Sequence, residues 1–149
     1  MIDLDDLDKQ ILALLQKDGR MSHVQIARQL KVGHTRVRDR ILRMEEAGVI
    51  AGYQAVINPL VLGYNIHCII QIEVDQRKDF GAFVDAMMQM EEVVEVVNLT
   101  GEYDVTVRIW ARDVTHLHDI LYHKISELPA HLRTVSSMVL SHQQKHLGV

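Results

Sequence analysis

Four arginines, Arg36, Arg38, Arg40 and Arg43, crowd into the stretch "VGHTRVRDRILRMEEAGVIAGY", residues 32–53. Guanidinium groups at that density either meet the phosphates and base edges of a nucleic acid or solvate a helix face. The chain around them is acidic, with a formal net charge of −4 over 149 residues. Between Gly19 and Met44, however, Arg20, Arg28, Lys31 and the four arginines face Asp39 alone, and after Pro59 acids outnumber bases. Positive charge gathered into one third of an acidic chain is the footprint of a module that meets phosphate.

Other chemistries find less support. The chain holds nine histidines. His116, His118 and His123 share one predicted helix, but none are four apart, so none form the i, i+4 pair of a helical metal site. His142 and His146 are four apart but fall where a strand is ending. Metal binding is not expected, nor is any other cofactor. Cys68, inside an apolar run, reads as a small buried hydrophobe rather than a nucleophile. Trp110 and Phe83 read as ordinary core or interface residues. No nucleophile-and-base constellation marks an enzyme. No apolar run is long enough to span a bilayer, and "MIDLDDLDKQ" lacks the basic and apolar regions of a secretory signal. A single cysteine forms no internal disulfide, and a cytoplasmic protein is the expectation.

The arginines need a scaffold, and three helices are predicted to supply it. Leu4, Leu7, Ile11, Leu14 and Leu15 recur at helical spacing, with Asp3, Asp5 and Asp6 near the positive end of the helix dipole. Gly19 and Arg20 interrupt the pattern. Ser22 and Gln25 form a capping box opening a short helix with Val24, Ile26, Ala27 and Leu30. Lys31, Val32 and Gly33 make a tight turn. The third helix runs from about His34 to Ala47, with Val37, Ile41 and Met44 facing inward and Gly48 stopping it. "VIAGYQAVINP" then reads as two short strands about a turn at Ala51-Gly52, the size of a wing. This is a helix-turn-helix. Its outer, N-terminal residues, His34, Thr35, Arg36, Arg38 and Asp39, are placed to read base edges, whereas Lys31, Arg40 and Arg43 are placed for phosphates.

Beyond Pro59 the periodicity changes. Strands are predicted at 66–74, 93–100, 105–111 and 132–143, with helices at 78–90 (Phe80, Phe83, Val84, Met87 inward) and 114–128 (Leu117, Leu121, Ile125, Leu128 inward). The order βαββαβ is ferredoxin-like. The fold class expected is therefore α+β, with a winged helix-turn-helix at 1–58 and a ferredoxin-like domain at 59–149. Val93, Val94, Val96 and Val97 put apolar side chains on both faces of one strand, so the face without helices should be covered by a second subunit. A two-fold dimer would suit a pseudo-palindromic operator in double-stranded DNA.

With these residues placed, the chain resembles the Lrp/AsnC (leucine-responsive, feast/famine) transcription regulators along essentially its whole length. "LDDLDKQILALLQKDGRMSHVQIARQL", "RVRDRILRMEEAGVIAGY" and the glycine-x-x-aspartate turn of "NLTGEYDVTV" carry the resemblance. It implies dimers that assemble into tetramers, octamers or larger rings. It also implies an amino-acid effector held between dimers. Carried onto this chain, that site is Thr100, Gly101, Glu102, Tyr103 and Asp104 with Val114 and the last-strand residues Thr134, Ser136, Ser137 and Met138. By their residue types alone, Gly101 and Asp104 read as a hairpin turn, and it is the resemblance that favours a binding role for them. The family's third helix commonly starts after a serine cap with glycine two positions earlier. Here those positions hold Gly33 and Lys31, and a lysine at positive φ costs about 1 kcal/mol. The alternatives are an effector-independent architectural DNA binder and a sirohaem-decarboxylase-like enzyme. The histidine that such an enzyme resemblance requires is missing from "NLTGEYDVTV". A MarR-like regulator would need dimerisation helices where strands are predicted.

Overall fold

The structure is a computed structural model that describes residues 2–145 and 148. It divides into two units, one of the residues up to Val56 together with the described residues after His142, and one spanning Ile57–His142.

The first unit is three helices, α1 (Asp6–Lys17), α2 (His23–Leu30) and α3 (His34–Glu46). Two of the three begin with a reciprocal capping box. Ser22 and Gln25 cap α2 as expected. Asp5 caps α1 with Asp8, an all-aspartate box that the usual Ser/Thr-x-x-Glu/Gln signature does not signal. Ile11, Leu12, Ile26, Ala27, Val37, Ile41 and Met44 close the core. At about 1.5–3 kcal/mol for each fully buried aliphatic side chain, this small core is what holds α3 in place. Lys31 stands between α2 and α3 at φ 55, the left-handed conformation its position demanded, and Gly48 ends α3 at φ 70.

The predicted wing is not formed as strands. Residues 51–58 carry neither helix nor strand, and Tyr53, Val56 and Ile57 are exposed. A strand pair needs a backbone partner in register; among the described residues this segment has none.

In the second unit a 3₁₀ turn, Pro59–Leu62, leads into β1 (Ile66–Val74), α4 (Phe80–Met88), β2 (Val93–Asn98), β3 (Val105–Ala111), α5 (Val114–Asp119) and β4 (His131–Met138). The sheet is antiparallel with order β2-β3-β1-β4, the ferredoxin-like arrangement. Cys68, Ile70, Ile72 and Val74 of β1 alternate inward with Val105, Val107, Ile109 and Ala111 of β3, and Phe83 and Met87 of α4 pack on them. Two elements depart from expectation. The last strand ends at Met138 rather than 143. The fifth helix converts after Asp119 to a π-helical turn, Ile120–Ile125. That wider turn aligns residues five apart, which is why Ile120 and Ile125 are the buried pair while Leu117, Leu121 and Leu128 sit at the margin.

Candidate DNA-reading helix and effector-domain turn

On α3 the inner face is closed by Val37 (0% exposed), Ile41 and Met44, so the remaining directions are set by 100° steps around the helix. His34, Thr35, Arg36, Arg38 and Asp39 are all exposed, as expected of residues that read bases. Arg36 has no ion pair or side-chain hydrogen bond among the described residues, and neither has Lys31. Arg38 is folded onto its neighbour, its Nη2 donating to Asp39 Oδ1 at 2.9 Å.

Arg40 and Arg43 are placed otherwise than the sequence suggested. Both turn back onto the start of α1. Arg40 Nη1 pairs with Asp5 and lies 3.0 Å from Asp8 Oδ1, and Arg43 Nη2 donates to Asp8 Oδ2 at 2.5 Å. Asp8 is fully buried. Its Oδ1 is in ion-pair contact with Arg40 without the alignment of a hydrogen bond. The Arg40 guanidinium, helped by the Asp8 N–H, holds the Asp5 carboxyl down at about 2. The signal was present in "LDDLD": acids three apart at a helix start match arginines three apart on a neighbouring helix.

The Gly101–Asp104 turn joins β2 to β3, with Gly101 at φ 155. Asp104 is committed there: its Oδ2 accepts from the Val74 N–H (2.9 Å) and its Oδ1 from the Gln76 amide (2.7 Å). Those bonds, the Val74 one foremost, hold its carboxyl below the usual range. Arg133 of β4 reaches the turn, donating to Glu102 Oε1 at 2.9 Å and lying 5.0 Å over the Tyr103 ring. The structure thus brings Glu102, Tyr103 and the β4 side of the sheet together. Thr134 bonds His131 instead (2.6 Å), and Ser136, Ser137 and Met138 are exposed further along β4, which pairs Met138 with Cys68. Thr100 is exposed. Val114 is not brought to this turn: it opens α5 beyond the opposite end of β3.

The histidines have other work. His116 Nε2 donates to Glu92 Oε1 at 2.9 Å while its Nδ1 accepts from the Arg112 N–H. His118 stacks on Tyr122. His67 stacks on Trp110, with burial and then the Arg108 charge pushing its imidazole down. His146 lies outside the described residues. Among the described residues no three His, Cys, Asp or Glu are set to hold a metal ion, and no helix is long and apolar enough to cross a membrane.

Comparison with known proteins agrees with this geometry. The family described as winged helix-turn-helix DNA-binding matches residues 4–51, and the Lrp/AsnC ligand binding domain matches residues 67–147. The chain belongs to the Lrp/AsnC family. The HTH-type transcriptional regulator FL11 of Pyrococcus furiosus is 37% identical over 79% of this chain and 78% of its own. LrpA of Pyrococcus horikoshii is 34% identical over 92% and 96%. The solved structure of Escherichia coli AsnC superposes with a TM-score of 0.88 at 27% identity, covering 98% of each chain. As an Lrp/AsnC protein, the chain is a DNA-binding transcription regulator and not an enzyme.

Proposed function

We propose that this Lrp/AsnC protein reads a specific DNA sequence with the N-terminal half of α3, as a homodimer whose DNA affinity responds to an amino acid. The observation that carries the reading is an exposed Arg36, without a partner among the described residues, beside Thr35 and His34 and next to a fully buried Val37 that anchors the inner face. A side chain on that base can enter a major groove without unfolding its support. Lys31 supplies a phosphate contact next to it.

Dimerisation is supported by the sheet face opposite the helices. His67 and Trp110 stack there, and Val94 (53% exposed), Val97 and Val135 leave apolar surface uncovered. The effector reading is supported by the family domain's description and by a protein of the same fold, NMB0573 of Neisseria meningitidis, solved in complex with L-Met. Glu102, Tyr103 and Ser136 are the groups we assign to the effector. Asp104 already spends both oxygens on the chain, so it holds the turn that presents them.

The test is fluorescence anisotropy on a duplex selected from a random library, set beside a random duplex. Arg36→Ala should weaken the selected duplex by about 1–3 kcal/mol and the random one far less. Equal losses would end the base-reading assignment. A thermal-shift panel of the twenty amino acids on wild type, Glu102→Ala and Ser136→Ala tests the effector. A ligand at a hundredfold excess over its Kd adds about 2.7 kcal/mol, which should appear in wild type and shrink in the variants.

A further inference from the structure

Arg36, Arg40 and Arg43 fall at i, i+4 and i+7, a single edge of α3. All three would therefore reach toward the same DNA strand if they were free. Two are not free. Asp8, fully buried, takes Arg43 through one oxygen and lies against Arg40 with the other, and Asp5 takes Arg40 from outside. Asp8 is itself fixed, because its Oδ2 also accepts the Asp5 N–H at 3.2 Å and its own N–H donates to Asp5 Oδ1 at 3.0 Å. The capping box of α1 is thus also a two-carboxylate clamp on the arginine edge of α3.

A sequence-blind protein–DNA contact is a cation on a phosphate, and specificity is the ratio of operator affinity to that background. Removing two arginines from the phosphate pool lowers the background while leaving Arg36 to reach bases. Arg43, with 47% of its side chain exposed, shows that the clamp lies at the surface and not in a sealed core. We propose that Asp8, assisted by Asp5, is a specificity-determining residue: it withholds Arg40 and Arg43 from DNA phosphates and so suppresses non-specific binding. The inference rests on α3 being the DNA-reading helix.

The test is a salt titration of random-duplex binding with wild type, Asp8→Asn and Asp5→Ser. Serine keeps the helix cap and asparagine keeps an acceptor for the Asp5 N–H, so each removes charge with little change of shape. Both variants should bind random DNA tighter, by roughly 3–10-fold at low salt, with a log–log salt slope steeper by about 1 to 2. The ratio of selected to random affinity should fall. Adding Arg43→Ala to Asp8→Asn should return the slope toward wild type, which a purely structural role for Asp8 would not produce. Circular dichroism checks the fold, and Asp5→Ser, at an exposed position, carries the test if Asp8→Asn does not fold. Unchanged slopes in folded variants, or weaker random binding, would overturn the proposal. Equal losses for Arg36→Ala on both duplexes would instead remove the reading of α3 on which it rests.

Discussion

Among the described residues each unit buries one carboxylate side chain, and the two are held in opposite ways. Asp8 in the helical unit is 0% exposed and Glu92 in the sheet unit 1%, and each keeps one oxygen without a hydrogen bond. Asp8 is held by two arginines from α3. Glu92 is held by Lys124 Nζ (2.5 Å), which comes from the π-helical turn after α5, and by His116 from α5. Burial opposes ionisation of Glu92, but Lys124, the backbone N–H of Glu92 and His116 together outweigh it and hold its carboxyl below the usual range. A buried charge with one weakly replaceable partner set is a structural commitment. The Glu92 cluster fastens the α5 segment to the start of β2. The Asp8 cluster holds two arginines to which our proposal gives an outside use. The same physics builds a brace in one unit and, on that proposal, a restraint on DNA binding in the other.

The largest expected effect breaks the brace. Glu92→Ala leaves Lys124 without its partner and should cost about 3 kcal/mol of unfolding free energy, the low end of the range because Lys124 can turn into water. Chemical denaturation would measure it, and DNA affinity of the folded variant should stay at the wild-type value. A loss below about 1 kcal/mol would mean that the pair contributes nothing net, a result known for ion pairs at surfaces.

A smaller effect comes from the two strained backbones. Lys31 in the helical unit and Ala130 in the sheet unit both sit at positive φ, at 55 and 120. Glycine at either should raise stability by about 0.5–1 kcal/mol. Only Lys31→Gly should also reduce the salt slope of DNA binding, by about 1. If both glycine variants leave DNA binding alone, Lys31 is not a phosphate contact.

The smallest effect is a pH dependence. The Asp5 carboxyl is lowered from 3.8 to about 2 in the folded chain, so the unfolded chain binds the proton first. Its contribution is fully present above pH 3.8 and is lost as pH falls toward 2. Thermal melts across that window should show a shallower loss for Arg40→Ala than for wild type. Identical profiles would show that Arg40 is not what holds Asp5 down.

Much of this was legible in the chain. Val37, Ile41 and Met44 gave the inner face of α3 because helical spacing leaves only one way to bury them. The apolar stretches 66–74 and 105–111 read as strands, and the structure pairs them, with Cys68, Ile70 and Ile72 buried alongside Val105, Val107 and Ile109 at period two. What stayed hidden depends on partners distant in sequence. The wing residues 51–58 have the composition of strands, but composition supplies no strand to pair with. Asp104 looks like a ligand group until the Val74 N–H and Gln76 are seen to occupy it. The π turn is a local change of helical pitch that a search for i, i+4 pairs passes over, and it brings the rings of His118 and His123, five apart, to 6.0 Å.

Periodicity, capping residues and charge placement thus determined from sequence alone the three helices of the first unit and the βαββαβ order of the second, and with the helix-turn-helix pattern they pointed to DNA, because each signal lies within a few residues of itself. Which arginines remain free for that partner was decided only by tertiary structure. The carboxylates that neutralise Arg40 and Arg43 lie 35 residues away along the chain, and only the packing of α1 against α3 brings them within ion-pair distance.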